Sequence, residues 1–334
     1  MPVAMMVMIM LKVLYLFTIT HAKKMSNLPT APPANYADVP YTQIRVSHVP
    51  ASSPTPTPVI LITLYRPAKY NAYTEVMTRE MSNVFGILSA DDRVKSIVVT
   101  GHGKMFCAGA DLDLGFEFGD DTDRTHRDGG GITSLSIFRC TKPVIAAING
   151  SAVGVGITMT LPMSIRIVSN KAKIGFVFAR RGLVIEAASA FFLPRLLGYS
   201  KATHVVTTGD VYPSTSPLLD GLFSEIVDPE KVLPRALELA DDIARNTSTV
   251  STQMNKDLIW RGPDSPEEAQ LITSRVILDM FRSKDNAEGI KSFLEKRQAQ
   301  FKGTVPKDAP SVWPWWNQID ADPPKNDWRT KSKI

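Results

Sequence analysis

Apolar residues along this chain fall into runs of two kinds. Short, β-branched blocks occur at VILITLY (59–65), VKSIVVTG (94–101) and KPVIAAING (142–150), and each reads as a buried strand. SIRIVS (164–169) and AKIGFVF (172–178) add two shorter strands. After RPAKYNA (66–72) the spacing changes: Val76, Met77, Met81, Val84, Phe85 and Leu88 recur at three- and four-residue steps, which predicts a helix. From residue 187 onward the chain turns helical. AASAFFLPRLLG (187–198) stops at a glycine, and LPRALELADDIARN (233–246) is amphipathic. The segment 265–283 opens on Ser265, Pro266 and two glutamates, a helix-start signature, and 285–301 begins similarly. Strand–loop–helix units in series imply an α/β fold with a parallel sheet, followed by a helical C-terminal part.

The ends are less regular. Residues 1–56 read as an N-terminal extension and a Pro/Ser/Thr-rich, irregular lead-in, 57–302 as the folded domain, and 303–334 as a Pro/Trp-rich tail, docked but irregular. The polar, Gly-rich stretch 115–131 reads as a mobile loop beside the site. Residues 2–19 are apolar except for Lys12, like a signal-peptide core or a short anchor, but lack a positive flank and a small-x-small cleavage site. Met25 opens an ordinary soluble N-terminus, so residues 1–24 are expected to be dispensable and no stable membrane insertion is expected. Ser332-Lys333-Ile334 is a conservative variant of the SKL address, which predicts a peroxisomal location and an import receptor as partner.

Composition narrows the chemistry. A chain of 334 residues, 44% hydrophobic, can bury a full core. Its net charge of +5 suits an anionic ligand but is too diffuse to argue for nucleic acid. Cys107 and Cys140 are the only cysteines and sit in no metal spacing, so neither a disulfide scaffold nor a metal site is expected.

Glu186 is the one acid inside the apolar run GLVIEAASAFFLP (182–194). It is either a surface interruption at a helix start or a base in a dry pocket, where desolvation raises its proton affinity. Two loops upstream offer it a target. In GHGKMFCAGADL (101–112), Ala108-Gly109-Ala110 leaves backbone amides bare; in NGSAVGVG (149–156), the chain enters a helix over 157–162. Each loop could equally be a plain turn, but together they can aim two N–H groups at one carbonyl oxygen. There is no Rossmann fingerprint, GxSxG elbow or P-loop. His102 and His126 read as solvated loop residues, Cys107 as a buried thiol and Asp111 as a cap or loop-orienting residue. Arg180 and Arg181 are either anion contacts or surface. Phe176, Phe178, Phe191 and Phe192 either line an acyl pocket or pack the core.

RPAKYNA, FCAGADL, the Gly-rich loop, KPVIAAINGSAVGVG and GLVIEAAS, in this order over roughly 57–300, resemble the crotonase superfamily of enoyl-CoA hydratases and isomerases. The resemblance implies a ββα spiral with a C-terminal helical trimerisation part, a homotrimer or homohexamer, and an acyl-CoA substrate that brings its own CoA, with no further cofactor. It implies an oxyanion hole at the N–H groups of Ala110 and Val155. Ala108, Gly109, Ala110, Asp111, Leu112 and Gly154 would bind substrate, with 108–112 at the adenine end. The two places where a hydratase of this family carries its glutamates hold Thr158 and Phe178 here. Glu186 instead resembles the acid of peroxisomal Δ3-Δ2-enoyl-CoA isomerases. One carboxylate suffices to move a proton from C2 to C4, so the expectation is an isomerase, in β-oxidation or a fungal polyketide- or fatty-acid-like secondary pathway. The alternatives are a hydratase or, from another class, a non-catalytic CoA- or RNA-binding relative.

Overall fold

The computed structural model describes residues 28–115 and 125–322. Residues 2–19, Met25, the 116–124 part of the Gly-rich loop and the C-terminal Ser-Lys-Ile lie outside the described residues. Among the described residues, ten strands form two sheets. The larger has the order β1 (Ile44–His48), β2 (Val59–Leu64), β3 (Ser96–Gly101), β5 (Val144–Ile148), β7 (Ile165–Ser169), β10 (Glu225–Val227). The smaller has the order β4 (Met105–Cys107), β6 (Ser151–Val153), β8 (Lys173–Gly175), β9 (Val211–Pro213). From β3 to β8, successive strands therefore alternate between sheets. β3, β5 and β7 lie side by side and parallel in one, while β4, β6 and β8 do so in the other. That alternation is the ββα spiral.

β3 and β5 are buried along their whole length, as expected of parallel strands covered on both faces. Their side chains alternate in destination. Ile97, Val99, Ala146 and Ile148 join the main core, whereas Val98, Ile145 and Ala147 face the other side. There they meet Val232, Ala236, Ala240 and Ala244 of a helix at Val232–Asn246, whose alanines at four-residue spacing let it lie close to the sheet.

In chain order the helices are α1 (Glu75–Ala90), α2 (Gly129–Arg139), α3 (Val155–Thr158), α4 (Ser189–Leu197), α5 (Tyr199–Thr208), α6 (Val232–Asn246), α7 (Thr249–Arg261), α8 (Pro266–Phe281) and α9 (Lys284–Leu294). The helices expected over 76–88, 187–198, 233–246, 265–283 and 285–301 are present, the first running Glu75–Ala90 and the last ending at Leu294. Three expectations change. The lead-in is not irregular throughout, because Ile44–His48 pairs antiparallel with β2 and buries Ile44, Val46 and His48. The Gly-rich loop ends earlier than its composition suggests, since Asp128 caps α2 and residues 129–131 are helical. The helix expected over 157–162 is the single turn α3 followed by turns. The tail from 303 to 322 is docked and irregular, as expected. Trp313 Nε1 donates to Asp257 Oδ2 at 2.9 Å and Trp315 Nε1 to the Arg261 carbonyl at 3.0 Å.

Candidate active site

β4 and β6 pair in parallel, so the loops that leave their C-terminal ends emerge next to one another. Gly109 (φ 95°) and Gly154 (φ 54°) make both loops possible, since each adopts a left-handed backbone that a side chain would strain. A Cβ on Gly109 would sit 3.0 Å from the Val153 carbonyl, and one on Gly154 3.8 Å from the Gly109 Cα, so the two backbones approach directly. Gly154 N–H donates to the Gly175 carbonyl at 2.8 Å, which ties the second loop to β8. Among the described residues, neither Ala110 N–H nor Val155 N–H donates to a backbone acceptor. α3 is one turn long, so its dipole adds little; the anion-binding capacity rests on the two amides themselves.

The first loop is braced from below. Asp111 accepts from Arg66 Nη2 at 2.7 Å and its own N–H donates to the Tyr73 carbonyl at 2.9 Å, so it orients the loop. Tyr73 N–H in turn donates to the Gly109 carbonyl at 2.7 Å. Ala108 is half-buried, Ala110 exposed and Leu112 on the surface of the following turn.

Glu186 reaches the second loop through Thr158. It is followed by Ala187 (φ 58°) and Ala188 (φ 55°), two alanines in left-handed backbone, a costly arrangement of the kind found where a side chain must be aimed. Its Oε1 accepts from Thr158 Oγ1 at 2.5 Å, and Thr158 closes the single turn that starts at Val155. The carboxyl is thus linked to the second amide through one helical turn. Burial raises its pKa from 4.5 to about 8; the Thr158 hydroxyl works against the rise, and the charge and hydrogen bond of Asp128 add to it. Asp128 was not among the residues singled out from sequence. It caps α2 by accepting from Gly131 N–H at 2.5 Å, and it also accepts from Ala187 N–H at 3.3 Å. The sequence signal was there, an aspartate before a helical run, but three glycines behind it read as loop.

The other candidates separate cleanly. Cys107 is buried and its thiol is pushed up to about 12 by that burial, so it stays protonated and is no nucleophile. His102 lies in an exposed loop with its ring against Tyr65, and His126 is exposed. Arg180 is exposed and pairs with Asp210 at 3.1 Å, and Arg181 is exposed. Phe176 and Phe192 belong to the core. Phe178 is near the hole, its ring 4.0 Å from where a Gly154 Cβ would stand, and Phe191 is half-exposed beneath Arg195. Among the described residues no group of three His, Cys, Asp or Glu could hold a metal, and no helix is long and apolar enough to cross a membrane.

Comparison with known proteins identifies the family and the fold. The profile of the enoyl-CoA hydratase/isomerase family matches residues 55–304. Enoyl-CoA hydratases ACTT3 and AFT3-1 of Alternaria alternata are each 53% identical over 249 residues, covering 74% of this chain and 84% of theirs. Mevalonyl-coenzyme A hydratase sidH of Aspergillus fumigatus is 28% identical over 253 residues, covering 75% of this chain and 93% of its own. Among solved structures, an enoyl-CoA hydratase from Bacillus anthracis superposes with a TM-score of 0.70 at 26% identity, over 78% of this chain and 100% of that one. One from Mycobacterium tuberculosis gives 0.68 at 26%, over 78% and 99%. The ββα spiral is therefore the crotonase fold.

Proposed function

The chain belongs to the enoyl-CoA hydratase/isomerase family, and we propose that it transfers a proton at C2 of an enoyl-CoA thioester, with Glu186 as the transferring group. The observation that carries this reading is the Glu186 carboxyl itself, of raised proton affinity and joined through Thr158 to the turn that presents Val155 N–H. The Ala110 and Val155 amides would hold the thioester oxygen as it gains charge, each donor contributing about 3–4 kcal/mol to the enolate. Ala108, Gly109, Asp111, Leu112 and Gly154 would shape the CoA-binding edge. No cofactor beyond the CoA of the substrate is required for this chemistry.

Two net reactions use such a transfer. Addition of water to a 2-enoyl-CoA is the reading we favour. It is helped by a second carboxyl; the sequence offers none at Thr158 or Phe178, but the fold sets Asp128 beside Glu186, through which it would act. The relatives at 53% identity carry the name enoyl-CoA hydratase. The double-bond shift from C3 to C2 is the second reading, favoured by the absence of acids at Thr158 and Phe178. Likeness to fungal proteins, a mevalonyl-coenzyme A hydratase among them, supports a secondary pathway over β-oxidation. The exposed Phe281, Phe293 and Leu294 of α8 and α9 form an apolar surface suited to a homotrimer, and the Ser332-Lys333-Ile334 end supports peroxisomal import.

The test is to give purified protein 2-enoyl-CoA and 3-enoyl-CoA separately, with Glu186→Gln as control. Hydration of the first is expected. A double-bond shift without hydration would overturn that choice, and full activity in the Gln variant would overturn the role of Glu186.

A further inference from the structure

Three consecutive glycines open α2, although glycine is a weaker helix former than alanine. Their reason lies in what occupies the space. A Cβ on Gly129 would stand 2.7 Å from Thr78 Oγ1, on Gly130 1.6 Å from Glu186 Oε2 and 3.2 Å from Asp128 Oδ1, and on Gly131 2.5 Å from Asp128 Oδ2. The glycine run is a cradle in which two carboxyls meet. Glu186 Oε2 and Asp128 Oδ1 both crowd the point where a Gly130 Cβ would stand, and two carboxyls that meet can hydrogen-bond only if one of them holds a proton.

From this geometry we infer that Asp128 is a positioning residue that shares one proton with Glu186, so that the two act as a single proton-holding pair. The inference rests on Glu186 being the transferring group. With the proton on Asp128, Glu186 is a carboxylate and can accept a proton. With the proton on Glu186, it is the acid. In hydration the pair gives its proton to C2, the C2–C3 π electrons form the new C–H bond by way of the enolate, water oxygen bonds to C3, and the proton lost by water returns to the pair. In a double-bond shift the pair takes a proton from C2 and returns it to C4. Either way the pair ends as it began.

Among the described residues, several groups face the pair. Asp128 Oδ1 is also held by the Gly131 and Ala187 amides, and Thr158 holds Oε1 of Glu186. The charge of Glu186 reaches Tyr73, just before α1, and Cys107 of β4, and burial keeps both of them protonated. On the α2 side, His126 and Arg127 precede Asp128, and the Arg127 guanidinium donates to the Ala321 carbonyl and to the His126 carbonyl. Removing the Asp128 charge should therefore lower the proton affinity of Glu186.

Asp128→Asn separates this role from capping, because asparagine caps a helix as well as aspartate does. The full-length protein is assayed for turnover of 2-enoyl-CoA and 3-enoyl-CoA from pH 5 to 9, with Asp128→Ser as a second uncharged cap. We expect kcat at neutral pH to fall roughly 10- to 100-fold, with KM nearly unchanged. The pH dependence should move about one unit to lower pH, and the thermal midpoint should hold. Asp128→Glu should recover part of the rate. Wild-type kcat and an unmoved pH profile in either uncharged variant would overturn the pair. If Glu186→Gln is fully active, the functional reading fails first; if it is dead while Asp128→Asn behaves as wild type, only the pair fails.

Discussion

The two ends of α2 are built on opposite terms. At the N-terminus, Gly130 and Gly131 give up helix propensity to make room for two carboxyls, and Gly129 for the Thr78 hydroxyl; burial holds the Glu186 carboxyl back from ionising. At the C-terminus every device favours the fold. Lys256 of α7 donates to the Phe138 and Cys140 carbonyls at 2.8 and 2.7 Å, which satisfies the last turn and complements its negative end. The Arg261 guanidinium lies over the Phe138 ring, and the docked tail adds an ion pair between Arg139 and Asp322. One helix thus carries a site that is costly to hold and an anchor that holds it. The lesson is that stability around a site can be supplied at the far end of the element that presents it.

Several substitutions would break or sharpen that contrast. Gly130→Ala should have the largest effect, a loss of about 100-fold in kcat, because its Cβ would take the place of Glu186 Oε2. The displaced atom is the end of a flexible side chain, and alanine favours helix, so the same variant should melt no lower than wild type. A melting point that falls along with activity would show that the glycine serves packing. At the other end, Lys256→Met should cost about 2–3 kcal/mol, measured by denaturant unfolding, by leaving two carbonyls without a donor. Activity per folded molecule should be spared.

A pH series tests the cost of the acidic end. Glu186 is raised to about 8 in the fold from an ordinary 4.5. Below the ordinary value both folded and unfolded chains hold the proton. Between the two values the unfolded chain releases it and the folded chain does not, so stability falls as pH rises and the loss is complete above the folded pKa. Wild type should therefore lose roughly 1–3 kcal/mol relative to Glu186→Gln across that window. Parallel stability curves for the two proteins would contradict the buried, protonated state. The smallest effect is expected for Arg139→Ala, no more than about 0.5 kcal/mol, because its pair with Asp322 is solvent-exposed.

Much of the site was legible as residue types in a row. Glu186 stood out because a charge in an apolar run needs a reason, and the small-residue loops stood out because bare amides need one too. Asp128 did not, because it lies 59 residues from Ala187, to whose amide it bonds, and because a Gly-rich stretch reads as loop. β1 was missed for a similar reason: prolines and serines around Ile44–His48 hide a short edge strand whose pairing with β2 is not local. Local chemistry cannot announce a partner that only folding brings near.

The sequence by itself determined the α/β class, the helical C-terminal part and the family, because strand and helix periods and the order of small-residue loops are properties of consecutive residues. Only the tertiary structure decided what stands next to Glu186. Parallel pairing of β4 with β6 puts the two loops side by side, and the glycine cradle of α2 brings a second carboxyl to the first. Proton affinity depends on distance, burial and neighbouring charge, none of which is fixed until the chain has closed around them.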